Sequence, residues 1–479
     1  MPRLISKAGT MLDFKTRSRR RKLEASTGLE LIFRGELDER QLLRDARSAA
    51  QATGTMGWAR RRSDDSVEVV IFSPHGLQEY LQQLAPWTQQ PENDLEITES
   101  AEAEEATGFR IRREKFILDR QEDLDYYESL GVDTTSRQFP ALHSSGLLRE
   151  APMAEVQQSK QYWRDLWGRD VDPSFHIAFS NVTRSWDHRV VPQAEYRTIW
   201  RALNPGENLI AAYSDKVLFS RLVPTERQPR TPLVCIDGRF YDADANWIVE
   251  EAQVLAILSR LATGIIKPTS MDNGRGVELL KYAGGDRISV GTRKLTLRGL
   301  KRRYRQNFMV QEIVQQHPTL AAPHPDSLNT LRVVTLRWNG GVHHLLTFAR
   351  FGVNGRINDN AGTGGLCVGV QPDGSFNTYA INEHGTLFDS HPDTNVSLES
   401  MPSVPGYSDV LEFAKGLHQD IPYFDLLSWD LAIDDEGRPV LIECNFRGAV
   451  WLYQLATGQP LFGEFTEGLL GTVRESTVR

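Results

Sequence analysis

The 479-residue chain holds only three cysteines, Cys235, Cys367 and Cys444, and their wide spacing excludes both a disulfide framework and a zinc pattern. A reducing cytoplasm is the expected location. No apolar run reaches the roughly 20 residues of a membrane span. The N-terminus has no secretory apolar core, and its RSRRRK run, residues 17–22, leads into polar sequence. Basic charge is not in excess either: 63 Asp and Glu against 55 Lys and Arg give a net charge of −8, which argues against nucleic acid as the main partner. No serine or cysteine nucleophile with a histidine partner is evident. His343 and His344 are neighbours on a strand, so at most one could face a cleft. What is there is an ordinary composition, 40% hydrophobic and 25% charged, long enough for two to four domains.

The most informative stretch is WDLAIDDEGRPVLIECN, Trp429–Asn445, which reads as a hairpin around an acidic turn. A turn centred between Glu436 and Gly437 places Asp430 directly opposite Glu443, with Asn445 on the same sheet face. Leu431, Ile433, Val440, Ile442 and Cys444 then form the apolar face. Opposed like charges are unfavourable, so a compensating ion is expected. Two carboxylates and an amide oxygen suit Mg²⁺ or Mn²⁺. A solvated acidic face with no ligand is the alternative reading.

Upstream, LELIFRGEL, MGWARR and SVEVVIF read as strands, ERQLLRDARSAAQATG and LQEYLQQLA as helices, and TGFRIRR as a closing strand after an acidic link. The order βαββαβ is that of a ferredoxin-like sandwich. The wording over residues 28–113 resembles the acylphosphatase family. The catalytic positions of that family fall here on Leu43 and Arg61, and its phosphate loop is replaced by the acidic GELDERQLL, so a non-catalytic docking or recruiting module is expected. Residues 114–207, with YYESL and QYWRDLWGRD, read as a helical connector or cap. From Asn208 onward strands and helices alternate, as in an α/β or α+β catalytic unit.

In that last part Lys216 starts a helix and Lys267 ends a short apolar strand before a loop with Gly274 and Gly276. Such a loop can wrap its backbone N–H groups around phosphate, although no Gly-Lys-Ser or Gly-Lys-Thr follows. QNFMVQEIVQQHP is an apolar strand turning polar. Arg332 and Arg350 lie within apolar strands, where a guanidinium is costly unless it meets an anion or a cleft. Asp359 and Asn360 precede Gly364 and Gly365. Each feature alone also fits a surface turn or a structural ion pair.

In order, these pieces resemble the ATP-grasp superfamily, and QEIVQQHP, SLNTLRVVTL, RFGVNGRINDNAGTGG and LLSWDLAIDDEGRPVLIECN are similar to its sugar-transfer-associated group. The resemblance implies an α+β fold in which two α+β subdomains of residues 208–479 sandwich ATP, behind a leader over residues 1–27. It implies phosphate contacts from Lys216 and Lys267, a closing loop Thr269–Gly276, an adenine hinge at Gln311, Glu312, Ile313 and Val314 with Glu312 as one option for the ribose, and phosphoryl contacts from Arg332, Arg350 and Asn360. Asp430, Glu443 and Asn445 would bind one or two Mg²⁺ ions. The implied reaction is a carboxylate–amine ligation through an acyl-phosphate, set in cell-surface polysaccharide or specialised-metabolite biosynthesis. The substrates would be a small-molecule or peptide carboxylate and an amine acceptor, and the N-terminal domain could recruit a partner. A sugar-hydroxyl kinase and a non-catalytic nucleotide-binding scaffold are the alternatives.

Overall fold

The computed structural model of the chain describes residues 29–35, 37, 39–61, 66–72, 77–88, 94–99, 109–111, 121–204, 207–270, 274–359, 361, 364–446 and 450–478. The leader and its RSRRRK run lie outside these residues, as does Asn360. The described residues build three sheets, each with its own helices.

The first sheet runs Asp94–Glu99, Leu29–Arg34, Val67–Ile71, Gly57–Arg61, Phe109–Ile111. Its core is built from alternating Leu29, Leu31 and Phe33, from Val67, Val69 and Ile71, and from Leu42, Ala46 and Ala50 on the helix Glu39–Thr53. One strand differs from expectation. The acidic stretch read as a link supplies the edge strand Asp94–Glu99, which pairs Leu95 with Phe33 and Ile97 with Leu31. The described residues of TGFRIRR form the short strand Phe109–Ile111, parallel to Gly57–Arg61 at the opposite edge. Charges between the apolar positions are what an edge strand carries on its open face, and they disguised DLEITE as linker.

Of the helices between Gln121 and Leu203, Ser174–Thr183 is buried on nearly every side and others are amphipathic. Gln193–Leu203 buries Tyr196, Ile199, Trp200 and Leu203, one stripe at helical spacing. That stripe shares a single core with the third sheet and the C-terminal helices, through Trp163, Leu452, Leu455 and Leu470 among others. Gln454 ties the parts together: its amide oxygen accepts from Val191 N at 2.8 Å and Leu461 N at 3.0 Å, while its NH₂ donates to Val191 O.

The second sheet has eight antiparallel strands, with Thr263–Pro268 and Phe308–Gln311 central and Arg293–Leu295 and Trp247–Ile248 at its edges. The third has seven, with Gly341–Phe351, Thr330–Trp338 and Leu426–Ile433 central. The chain passes from the second to the third sheet at Glu312–Gln316. There Gln316 bridges to Asp434, and His317 N donates to Ile433 O at 2.9 Å.

Two core histidines give the fold an acid limit. His418 donates Nε2–H to Phe424 O at 2.9 Å and accepts at Nδ1 from Thr335, whose hydroxyl in turn accepts from Trp429 Nε1. His176 is likewise buried and donates to His188 O. Burial holds both imidazoles down at about 4. The unfolded chain therefore binds more protons than the folded one between about pH 6.5 and 4. Stability is expected to be full above that window and to fall through it, by about 3 kcal/mol per histidine. Urea unfolding at stepped pH checks this, and His418→Gln should flatten the slope.

Candidate active site

The hairpin forms because its turn is specified locally. Asp434 Oδ1 accepts from Glu436 N at 3.1 Å and Arg438 N at 2.7 Å, and Gly437 takes φ +82°. A loop ending in a left-handed glycine is a three-residue hairpin connection. Ile433 consequently pairs with Pro439 and Leu431 with Leu441, one residue off the register expected from the turn. A bulge between Asp430 and Leu431 takes up the difference, so that Asp430 opposes Glu443, Trp429 opposes Cys444 and Ser428 opposes Asn445. The bulge also exchanges roles in the strand Pro439–Asn445: Leu441 is buried, while Ile442, expected on the apolar face, is only half-buried.

Asp430 is nearly inaccessible, at 2% exposure, and sits between two arginines. Arg332, opposite it on the neighbouring strand, donates Nε–H to Oδ1 and Nη2–H to Oδ2, both at 2.7 Å. Arg350 donates Nη1–H to Oδ2 at 2.7 Å, and Asn445 Nδ2 adds a bond at 3.1 Å. Burial alone would raise the Asp430 carboxyl, but the Arg332 and Arg350 charges win and hold it well below the usual carboxylate range.

The arginines are held in turn from behind. Arg332 Nη1 donates to Tyr453 OH at 3.1 Å. Arg350 Nη2 donates to Asp359 Oδ1 at 2.9 Å, and Asp359 Oδ2 accepts from Thr330 N at 3.0 Å and from the Thr330 hydroxyl. Asp359, Thr330 and Tyr453 were not among the residues expected in the site. Asp359 stood beside Asn360 in the sequence and could have been found there. Tyr453 looks like any core residue of its apolar helix, and only the tertiary fold brings it to Arg332.

Glu443 faces Asp430 across the hairpin, and burial together with that negative charge pushes its carboxyl up, against the opposing pull of Lys216, Lys267 and Arg350. Both lysines thus act electrostatically on Glu443. Lys216 is the first residue of the helix Lys216–Leu222, capped by Asp215, and its N–H donates to Thr269 O at 2.8 Å. Lys267 ends its strand as expected and is buried. Desolvation lowers its ammonium to about 8, with Glu443 opposing and Lys216 reinforcing that shift. When all are ionised, four cations (Lys216, Lys267, Arg332 and Arg350) meet three carboxylates (Asp359, Asp430 and Glu443), which leaves an excess of positive charge for a polyanion.

Of the glycine loop, residues 271–273 lie outside the described residues. Gly274 and Gly276 have φ +63° and +77°. A Cβ on Gly274 would stand 3.1 Å from Asn358 Nδ2, and one on Gly276 would stand 2.8 Å from Pro268, so both the conformation and the space call for glycine. The loop therefore abuts the segment that carries Asp359. At the connection between sheets, Gln311 is buried and donates to Thr231 Oγ1 at 3.0 Å. Glu312 faces solvent 4.0 Å from Arg230. Ile313 is exposed and Val314 half-buried, and their main-chain groups enter no backbone hydrogen bond among the described residues. His343 and His344 lie elsewhere, bonded to Trp338 O and Thr347 Oγ1.

The donor set is compatible with a hard divalent cation. Among the described residues no three His, Cys, Asp or Glu side chains converge, so an ion here would rely on Glu443, the Asn445 amide oxygen and Asp430. Asn445 Oδ1 meets no protein donor among the described residues. Asp430 is filled by four N–H donors and could ligate only in exchange for one of them.

The family model for sugar-transfer associated ATP-grasp proteins matches residues 201–467. No curated protein sequence matches the chain. Among solved structures, an ATP-grasp superfamily protein from Archaeoglobus fulgidus is 14% identical, covering 57% of this chain and 60% of its own, with a TM-score of 0.29. D-alanyl-alanine synthetase A from Vibrio cholerae is 11% identical, covering 56% and 65%, with a TM-score of 0.31. The chain thus spans less than two thirds of either. Acylphosphatase from Bacillus subtilis is 22% identical over 18% of this chain and 97% of its own, with a TM-score of 0.16.

Proposed function

The chain belongs to the sugar-transfer associated ATP-grasp family, and on that premise we propose that it is an ATP-dependent ligase joining a carboxylate to an amine through an acyl-phosphate. The observation that carries the reading is the opposed pair of buried Asp430 and half-buried Glu443, with Lys216 and Lys267 acting on Glu443 and with Arg332 and Arg350 bonded to Asp430. Phosphoryl transfer needs positioning and charge neutralisation more than covalent help. These four cations and three carboxylates are what such a site requires.

In this reading Lys216 and Lys267 hold the nucleotide phosphates, and the loop with Gly274 and Gly276 closes over them. The open main chain of Ile313 and Val314 takes the adenine edge, while Gln311 and Glu312 fix the strand end that presents it. Asp430, Glu443 and Asn445 would hold Mg²⁺, which would neutralise charge on the phosphates when bound. Arg332 and Arg350 turn part of their N–H set from Asp430 to the phosphoryl group in flight, with Tyr453 and Asp359 keeping the guanidinium planes in place. Asn360, beside Asp359, is placed by sequence to assist. A substrate carboxylate attacks the γ-phosphorus and releases ADP. An amine then attacks the acyl carbon, phosphate leaves, and the amine gives up a proton. We also propose the division into residues 28–113 as a docking module, 114–207 as a cap on the catalytic unit, and 208–479 as that unit.

The test is phosphate release from ATP and Mg²⁺ across a panel of acid–amine pairs, followed by product mass. The reading expects release that depends on both partners, with a product heavier by condensation. A stable phosphorylated product would make the protein a kinase instead, and binding without turnover under any pair would make it a scaffold.

A further inference from the structure

Charge is distributed unevenly in this acidic protein. Residues 281–305 carry nine Lys and Arg against the single Asp286, leaving 46 Lys and Arg against 62 Asp and Glu for the rest of the chain. The segment is the free edge of the second sheet, strands Ile288–Val290 and Arg293–Leu295, followed by the helix Leu297–Arg303. Two of its cations are used internally. Arg303 pairs with Glu278 at 2.6 Å, and Lys301 lies over the Phe240 ring. Six others, Arg287, Arg293, Lys294, Arg298, Arg302 and Arg305, are exposed. None of these six has a carboxylate within 4.0 Å among the described residues. Some exposed arginines elsewhere do find carboxylates, as Arg34 does with Glu96, Arg227 with Asp409 and Arg438 with Asp434. Arg137, Arg260, Arg275 and Arg356 have none among the described residues but are scattered singly rather than clustered.

Basic residues on an edge strand discourage edge-to-edge pairing, which accounts for Arg293 and Lys294. It does not account for Arg298 and Arg302, which are like charges one helical turn apart on the outward face and repel each other, nor for Arg305 beyond them. Such unrelieved repulsion calls for an external anion. We propose that this basic rim docks the protein on an anionic lipid surface. The cations sit on a sheet edge and a short helix, as contact with a diffuse negative field allows. Nucleic acid fits less well. A seven-residue helix, roughly 10 Å long, is short for a groove, and the two aromatic rings of the segment, Tyr282 and Tyr304, are not exposed for stacking on bases. The proposal is independent of the reaction assigned above.

The test is co-sedimentation of the full chain with vesicles of phosphatidylcholine alone and of phosphatidylcholine with about 30% phosphatidylglycerol. Binding is expected only to the anionic vesicles and should weaken steeply with salt. Each cation contributes about a factor of five. The combined variant Arg293→Glu, Lys294→Glu, Arg298→Glu and Arg302→Glu should therefore lose affinity by several hundred-fold or more, with an unchanged thermal midpoint. If that variant does not fold, the same four positions changed to Gln should give the loss. Neutralising Arg17, Arg19, Arg20, Arg21 and Lys22 should leave most of the binding. The proposal is overturned if anionic vesicles do not bind at low salt, if the loss follows the leader rather than the rim, or if duplex DNA is bound in preference to the vesicles.

Discussion

Replacing Asp430 by alanine is expected to cost about 3–5 kcal/mol of folding stability, more than any other change in the site, because it leaves buried cations without their anion. Arg332 would lose two charge-assisted bonds and Arg350 one, and Arg350 is only 8% exposed. The cause can be separated from loss of packing. In the double variant Asp430→Ala, Arg350→Met, one orphaned guanidinium is gone, so part of the loss should return, as a coupling energy measurable by denaturant unfolding. If the two changes simply add, Asp430 is not the counter-ion of Arg350.

Glu443→Gln should behave in the opposite way. It removes a like charge facing Asp430 while keeping the shape, so the fold should be as stable as before to within about 1 kcal/mol, or slightly more stable. Turnover of ATP should nevertheless fall by about 100-fold or more, the size of loss typical when a preorganised electrostatic contact at a reacting centre is removed. Unfolding curves and single-turnover rates on the same preparation check both halves. An unchanged rate would return Glu443 to a structural role. The two variants together separate the functions of the pair: Asp430 as the anchor of the arginines, Glu443 as the carboxylate turned toward the lysines.

How much of this was legible in the sequence depended on how local the cause was. The opposition of Asp430 and Glu443 was anticipated from DDEG, but the turn alone leaves the register one residue short and the bulge after Asp430 restores it. Lys267 at a strand end follows from a short apolar run. The bulge that sets the final register was not readable, because it answers to packing of Leu441 that only the folded sheet imposes. DLEITE was missed because an edge strand needs apolar residues on one face only. The carboxylate partners of the arginines could be anticipated only as a possibility, since Arg332 meets Asp430 across 98 positions and Tyr453 across 121. The helices over 121–203 share the core of the third sheet through contacts such as Val191 with Gln454, which no local pattern announces. The ATP-grasp fold itself was legible because its charged residues recur in a fixed order along the chain.

The most direct test of the central claim, that the opposed carboxylates and the four cations form a magnesium–nucleotide site, is calorimetric titration of the full chain with a non-hydrolysable ATP analogue, with and without Mg²⁺. One saturable site is predicted, weakened by at least about tenfold when the metal is withheld and again in Lys267→Met. No heat of binding, or binding indifferent to both Mg²⁺ and Lys267, would contradict it.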